Sequence, residues 1–281
     1  WEWMRKKWMR NLRMKSFRGW PRPSQFVPLD MKCVFYVERE GIQLTAYDFT
    51  SQPNVRLRLY LTSKVGLNKS DVVTLNVLED TKRSKWLSVM RIAFENELSD
   101  QKLPEPDEEA FIRFKEMSIN SNQVIACIAP RGIGPDAWND NERKQVQIRR
   151  RFMLLGQTAD GMRVWDVRRA IQALRTIESF KEVPVTLTGR DIAAGIALYA
   201  SLFEPDIHRL FLSHLPETHR DGPTFLNVMR YLDIPQAVAM AAERSRIRLI
   251  QESSSGWQFP QAVAENLGWP DEQFQIRLVS K

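Results

Sequence analysis

Strand-like and helix-like runs alternate from residue 71 to residue 280, which predicts an α/β protein with a mostly parallel sheet and helices on both faces. Three strand-like runs within residues 31–61 predict antiparallel N-terminal strands extending one side of that sheet. The third observation is an abrupt strand end. The apolar run Val183, Val185, Thr186 and Leu187 stops at Gly189, and an apolar helical run opens at Ile192. Function in such a sheet gathers at the carboxyl ends of its strands, which makes that turn the first place to look.

Taken in order, residues 31–37, 42–49 and 55–61 read as strands, the last two alternating apolar and polar side chains as half-exposed strands do. The short turn Glu38–Gly41 joins the first two as a hairpin. A strand over 71–78 precedes an amphipathic helix over 85–98, a loop holding Pro104 and Pro106, a helix over 108–117 and a strand over 124–129. After a long loop, one helix is expected from about 148 to 177. The tight turn and the helix 192–202 follow. Then come a strand over 208–215, a helix near 224–242, a strand over 247–252, a helix over 260–267 and a last strand over 274–280.

The chain has 281 residues, 43% of them apolar, enough for one large domain with a full core. Its charge is localised. Residues 1–22 carry eight cations against Glu2 alone, a surplus equal to the whole net charge of +7. The basic balance therefore describes residues 1–30, an arm, and not the body over 31–281. Trp1, Met4, Trp8 and Leu12 recur in the arm at helical spacing with cations between them, and Gly19 and Pro21 end it. A connector packing its tryptophans on an adjoining domain is the preferred reading. Contact with a membrane surface or nucleic acid is ranked below it. The sequence opens on Trp1, not methionine, so an upstream domain of the same protein is the expected partner, and removing residues 1–22 is expected to leave a folded domain. Cys33 and Cys127 each sit in an apolar run and read as buried thiols, with neither disulfide nor zinc spacing. No apolar stretch approaches the roughly 20 residues of a membrane helix.

Three segments carry a family resemblance. Ala129–Gly134, APRGIG, resembles a D-x-R-G-x-G turn; Arg163–Ile171, RVWDVRRAI, resembles a helix with Asp followed by Arg-Ala; Thr188–Gly195, TGRDIAAG, resembles T-G-x-S-x-G-G. In this order they resemble the α/β-hydrolase fold, in its acetyl xylan esterase and prolyl-oligopeptidase-like branch, across about residues 31–280. The resemblance implies a carbohydrate-ester or peptidase-like hydrolase without a cofactor, with a serine nucleophile, an acid after a later strand and a histidine after the last strand.

The departures fall on the chemistry. Asp191 occupies the serine position and Ala193 that of the last glycine. Glu252 follows the strand where the acid belongs. No histidine follows the last strand: His208, His214 and His219 all lie around the strand after the tight turn. The segment that should supply oxyanion donors reads Asn76, Val77, Leu78, Glu79, Asp80, where two carboxylates would oppose an oxyanion.

Each candidate residue has two roles to choose between. Asp191 either caps the helix opening at Ile192 or acts as an unconventional nucleophile, with His214 or His219 as base and Glu252 as acid. The cluster His214, Glu217, His219 and Asp221 either anchors turns by hydrogen bonds or holds a metal or shuttles protons; no recognised metal-ligand spacing is present. Arg131, Gly132 and Gly134 either cradle an anion or form a rigid turn between Pro130 and Pro135. Arg190 joins them as a ligand-binding candidate. Asp166, Arg168 and Arg169 read as a buried charge network. These features lead to an expectation of a catalytically degenerate hydrolase domain serving an adjoining domain. An active hydrolase built on Asp191 is the rival.

Overall fold

The computed structural model describes residues 1–134, 137–138 and 141–279. Pro135 and the end of the last expected strand, Ser280, lie outside them. Among the described residues nine strands form one mixed sheet: β1 (Lys32–Arg39), β2 (Ile42–Gln52), β3 (Val55–Lys64), β4 (Val72–Val77), β5 (Gln123–Ile128), β6 (Val185–Arg190), β7 (Ile207–Ser213), β8 (Arg246–Gln251) and β9 (Phe274–Leu278). Their order is 1-2-3-5-4-6-7-8-9. β1, β2, β3 and β5 pair antiparallel in that succession, whereas β4 with β5, β7 with β8 and β8 with β9 are parallel. The helices are α1 (Glu2–Asn11), α2 (Asp80–Phe94), α3 (Glu108–Ile119), α4 (Glu142–Leu154), α5 (Ala159–Thr176), α6 (Ile192–Phe203), α7 (Ile234–Ala242) and α8 (Gln258–Leu267). The chain divides into two compact units.

The first unit holds residues 27–137 and 169–185. Its β1–β2 hairpin turns through Glu40 and Gly41, both at positive φ (53° and 76°), the backbone twist that a two-residue connection between right-twisted strands requires. Ile42 and Leu44 of β2 pack against Leu87, Met90, Phe94 and Leu98 from α2 and its C-terminal turn, and Phe111 of α3. α2 begins at Asp80, five residues earlier than expected, because the Glu79 carboxylate accepts the N–H groups of Thr81 and Lys82. The expected burial of both cysteines is half right. Cys127 is buried, and burial pushes its thiol pKa up to about 12. Cys33 is exposed, since β1 is the edge strand of the sheet.

The second unit holds residues 1–26, 138–168 and 186–281. Its centre is α6, buried on every side from Ala193 to Leu202, as a helix apolar on every face but for the satisfied hydroxyls of Tyr199 and Ser201 must be. The single helix expected over 148–177 is two helices. Gly156, at φ 72°, closes α4 with its N–H on the Met153 carbonyl, and the Thr158 hydroxyl accepts the Gly161 N–H to start the next. The helix expected near 224–242 begins only at Ile234. The Asp233 carboxylate and the Gln236 side chain form a reciprocal cap there, and Pro235 stands in the first turn.

Residues 1–26 pack as part of this unit. Trp1 Nε1 donates to Glu243 Oε2 at 3.1 Å, Arg5 pairs with the same carboxylate at 2.9 Å, and Trp8 meets Phe259 edge-on. Leu12 and Phe17 are buried, Phe17 between Trp20, Tyr199, Phe203 and Phe225. Trp20 in turn covers the Arg168 guanidinium, which pairs with Glu204 at 2.7 Å. The charge-network role expected of Arg168 is visible in that pair. Removing residues 1–22 would thus strip covering from α6. Phe17→Ala should cost about 3–5 kcal/mol of unfolding free energy, read by urea denaturation. A loss below about 1 kcal/mol would show that Phe17 is not part of the core.

Candidate active site at the strand-to-helix turn

The turn after β6 is built by close approach. A Cβ added at Gly189 would stand 2.6 Å from the Ala193 carbonyl oxygen and 2.8 Å from the Ala194 nitrogen, so only glycine lets strand and helix close. At Gly195 a Cβ would stand 2.7 Å from Pro223, so that glycine admits the following loop against α6. Between them Asp191 takes φ 52° and ψ −125°, a sparsely populated conformation for a residue with a side chain. Its backbone N–H donates to the Ser213 carbonyl of β7 at 3.0 Å, which fixes the turn to the neighbouring strand.

Asp191 sits at the N-cap position, but its side chain accepts no helix N–H. The capping role expected of it is absent because the positive φ turns the carboxylate away from the first helical turn. It pairs instead with Arg190 Nε at 3.3 Å, in an exposed setting. Among the described residues no histidine nitrogen comes within 4.0 Å of this carboxylate.

His214 stands at the end of β7, also at positive φ (48°), with its N–H on the Ile250 carbonyl of β8. Its Nδ1 lies 3.9 Å from Glu252 Oε1, at the end of β8. Asp191, His214 and Glu252 therefore end three successive strands of the sheet, β6, β7 and β8. The sheet brings His214 and Glu252 together and leaves Asp191 with Arg190.

His219 is committed elsewhere. It is buried, its Nδ1 donates to the Pro223 carbonyl at 2.7 Å, and its Nε2 then accepts from the Tyr199 hydroxyl at 2.7 Å. Its backbone N–H donates to Asp233 Oδ1, and Thr218 Oγ1 donates to the other oxygen of that carboxylate. This is the turn-anchoring role expected of the histidine loop. Burial holds the imidazole below its ordinary pKa. Tyr199 and Asp233 were not singled out from sequence. Asp233 had a readable sign in the cap–proline sequence DIPQ; Tyr199, inside an apolar helix, had none. Among the described residues no three His, Cys, Asp or Glu side chains converge as metal ligands.

Arg131, Gly132 and Gly134 belong to the first unit and follow β5. The Arg131 side chain is buried and donates to Gln52 Oε1 at 2.6 Å and to Ser51 Oγ. Gly132 and Gly134 both take positive φ, and the Gly134 N–H donates to Asp80 Oδ1 at 3.1 Å. Glu79 is occupied as a helix cap. The backbone of this turn meets a protein carboxylate where an anion cradle would offer a free donor.

No family model matches the chain, and no curated protein does. Solved structures do. A Bacteroides fragilis protein provisionally named an acetyl xylan esterase superposes with a TM-score of 0.71 at 14% identity, over 98% of this chain and 74% of that one. A glucuronoyl esterase from Solibacter usitatus gives 0.65 at 13% identity, over 98% and 86%. Acetyl xylan esterase 1 from Thermoanaerobacterium sp. gives 0.55 at 10% identity, over 99% and 87%. The chain has the α/β-hydrolase fold, with Asp191 where the fold turns from its central strand into a buried helix.

Two outcomes follow from this geometry. Asp191→Gly should raise stability by roughly 1 kcal/mol in urea denaturation, since strain of about 1–3 kcal/mol is relieved and a smaller glycine entropy cost is added. A loss of stability would restore the capping role. For His219, the folded state binds fewer protons than the unfolded chain below the ordinary value of 6.5. Its contribution is therefore complete above pH 6.5 and is lost as pH falls toward the lowered pKa. The thermal midpoint of the wild type should fall across that window, and His219→Gln should flatten that part of the profile. An unchanged profile would place the imidazole in solvent.

Proposed function

We propose that this chain is a catalytically degenerate hydrolase domain, esterase-like in framework, that serves an adjoining domain of the same protein as a structural or ligand-binding partner. The observation that carries this reading is the isolation of Asp191: its carboxylate pairs with Arg190, and no histidine nitrogen stands within 4.0 Å. A nucleophile and a base must come within hydrogen-bond reach for covalent catalysis. Two further observations agree. Both ring nitrogens of His219 are engaged inside the unit. The residues where oxyanion donors belong supply Glu79 and Asp80, whose carboxylates accept backbone N–H groups themselves.

A second reading is favoured by one contact. His214 Nδ1 and Glu252 Oε1, 3.9 Å apart, are an imidazole and carboxylate at neighbouring strand ends, beside the strand that bears Asp191. In that reading the Asp191 carboxylate attacks the acyl carbon of a carbohydrate ester, the sugar leaves as its alcohol with a proton from solvent, and a water activated by His214, oriented by Glu252, hydrolyses the resulting anhydride to free acid and Asp191.

Hydrolysis of p-nitrophenyl acetate separates the two. Loss of a serine or histidine from a serine-hydrolase triad costs about 10⁶ in turnover. The degenerate domain should therefore stay at buffer background, and Asp191→Ser should not raise the rate. A wild-type burst that disappears in Asp191→Asn, and that persists in His214→Gln without further turnover, would establish the second reading instead.

A further inference from the structure

The geometry points to an anionic lipid surface as the partner of a basic, apolar face carried by α1 and α4 of the second unit. α1 and the π-helical turn that continues it (Leu12–Ser16) divide into two stripes. Trp1, Arg5, Trp8 and Leu12 face the unit, anchored to Glu243 and Phe259 or buried. Trp3, Lys7, Arg10 and Met14, spaced four, three and four residues apart, are exposed, with Lys6 and Arg13 beside them. Trp3 is 70% exposed and Met14 61%.

α4 repeats this chemistry over a half-buried inner stripe of Gln145, Ile148 and Phe152. None of its described residues is buried. Arg143, Lys144, Arg149, Arg150 and Arg151 are exposed together with Val146, Met153, Leu154 and the following Leu155, the last two at 88% and 74%. A helix shaped only to pack on its own chain would bury that end. Its single inward ring contact is Phe152 on Trp138. The two segments meet where the arm ends: Arg18 Nε donates to the Gly156 carbonyl at 3.5 Å, and Gly19 lies against Gln157.

Large apolar side chains interleaved with cations match the headgroup–acyl boundary of an anionic bilayer, where rings and Leu or Met tips enter and guanidinium groups stay with phosphate. A nucleic acid would use the cations but gains nothing from Leu154, Leu155 and Met153 in water. Among the described residues, the ion pairs made by the cations of these two segments are Lys6 with Glu2 and Arg5, inward, with Glu243. Each cation held near an anionic surface strengthens binding by about fivefold.

The test is co-sedimentation of the full chain with vesicles of phosphatidylcholine alone and of equal parts phosphatidylcholine and phosphatidylserine. Binding is expected only to the second, weakened by salt. The combined variant Arg149→Gln, Arg150→Gln, Arg151→Gln should bind on the order of a hundredfold more weakly. Trp3→Ser with Leu154→Ser should also weaken it, while both variants keep the wild-type urea midpoint because every changed side chain is exposed. No binding to the anionic vesicles overturns the proposal. So does binding to duplex DNA that is lost in the charge variant while the Trp3, Leu154 variant binds DNA and vesicles like wild type, which would make the face a polyanion site.

Discussion

The contact between Gly189 and the backbone of Ala193 governs the centre of this molecule. Because strand and helix approach to within a distance that excludes a Cβ, the single residue left to reverse the chain direction must take a positive φ. That residue is raised on the edge of the sheet, and its N–H is drawn to the next strand. In an active hydrolase such strain presents a nucleophile. Here the same strain holds a carboxylate toward solvent and beside an arginine. The geometry of presentation and the chemistry presented are thus separable: the turn is a property of packing, and the reaction depends on what neighbouring strand ends supply.

What they supply is divided between two uses. The loop after β7 holds two histidines five residues apart. One remains at the strand end within 3.9 Å of a carboxylate. The other is drawn under the loop, where Tyr199, Pro223 and Asp233 satisfy it. A buried imidazole with both nitrogens bonded specifies one loop conformation, because any other leaves polar groups buried without partners. The loop that could have carried a base is thereby fixed as a structural plug over α6.

Much of the architecture was legible because it rests on local chemistry. Glu40–Gly41 declares its turn, and Gly189 followed by an apolar run declares the strand-to-helix reversal. Misreadings occurred where a local signal competed with periodicity. The apolar rhythm runs through Gly156 and Thr158, so the break between α4 and α5 was hidden, although both are standard end and start residues. Asp191 has the composition of a cap, but its backbone angle removes it from that role, and sequence carries no angle. Cys33 has an apolar neighbourhood along the chain and lies exposed on an edge strand in space. The candidate site was half visible: three successive strand ends bearing Asp191, His214 and Glu252 follow from topology. The diversion of His219 toward Tyr199, twenty residues away on a helix, does not.

The aromatic cover over Arg168 also has a consequence for the order of events during synthesis. Trp20 and Phe17 are synthesised before the surfaces they dock on: Tyr199, Phe203 and Phe225 follow some 180 to 210 residues later. Until then a cationic segment with exposed tryptophans has no native partner, and closing so long a loop carries its entropy cost before any contact repays it. This segment must therefore be among the last elements of its unit to settle, although it is translated before the surfaces it covers.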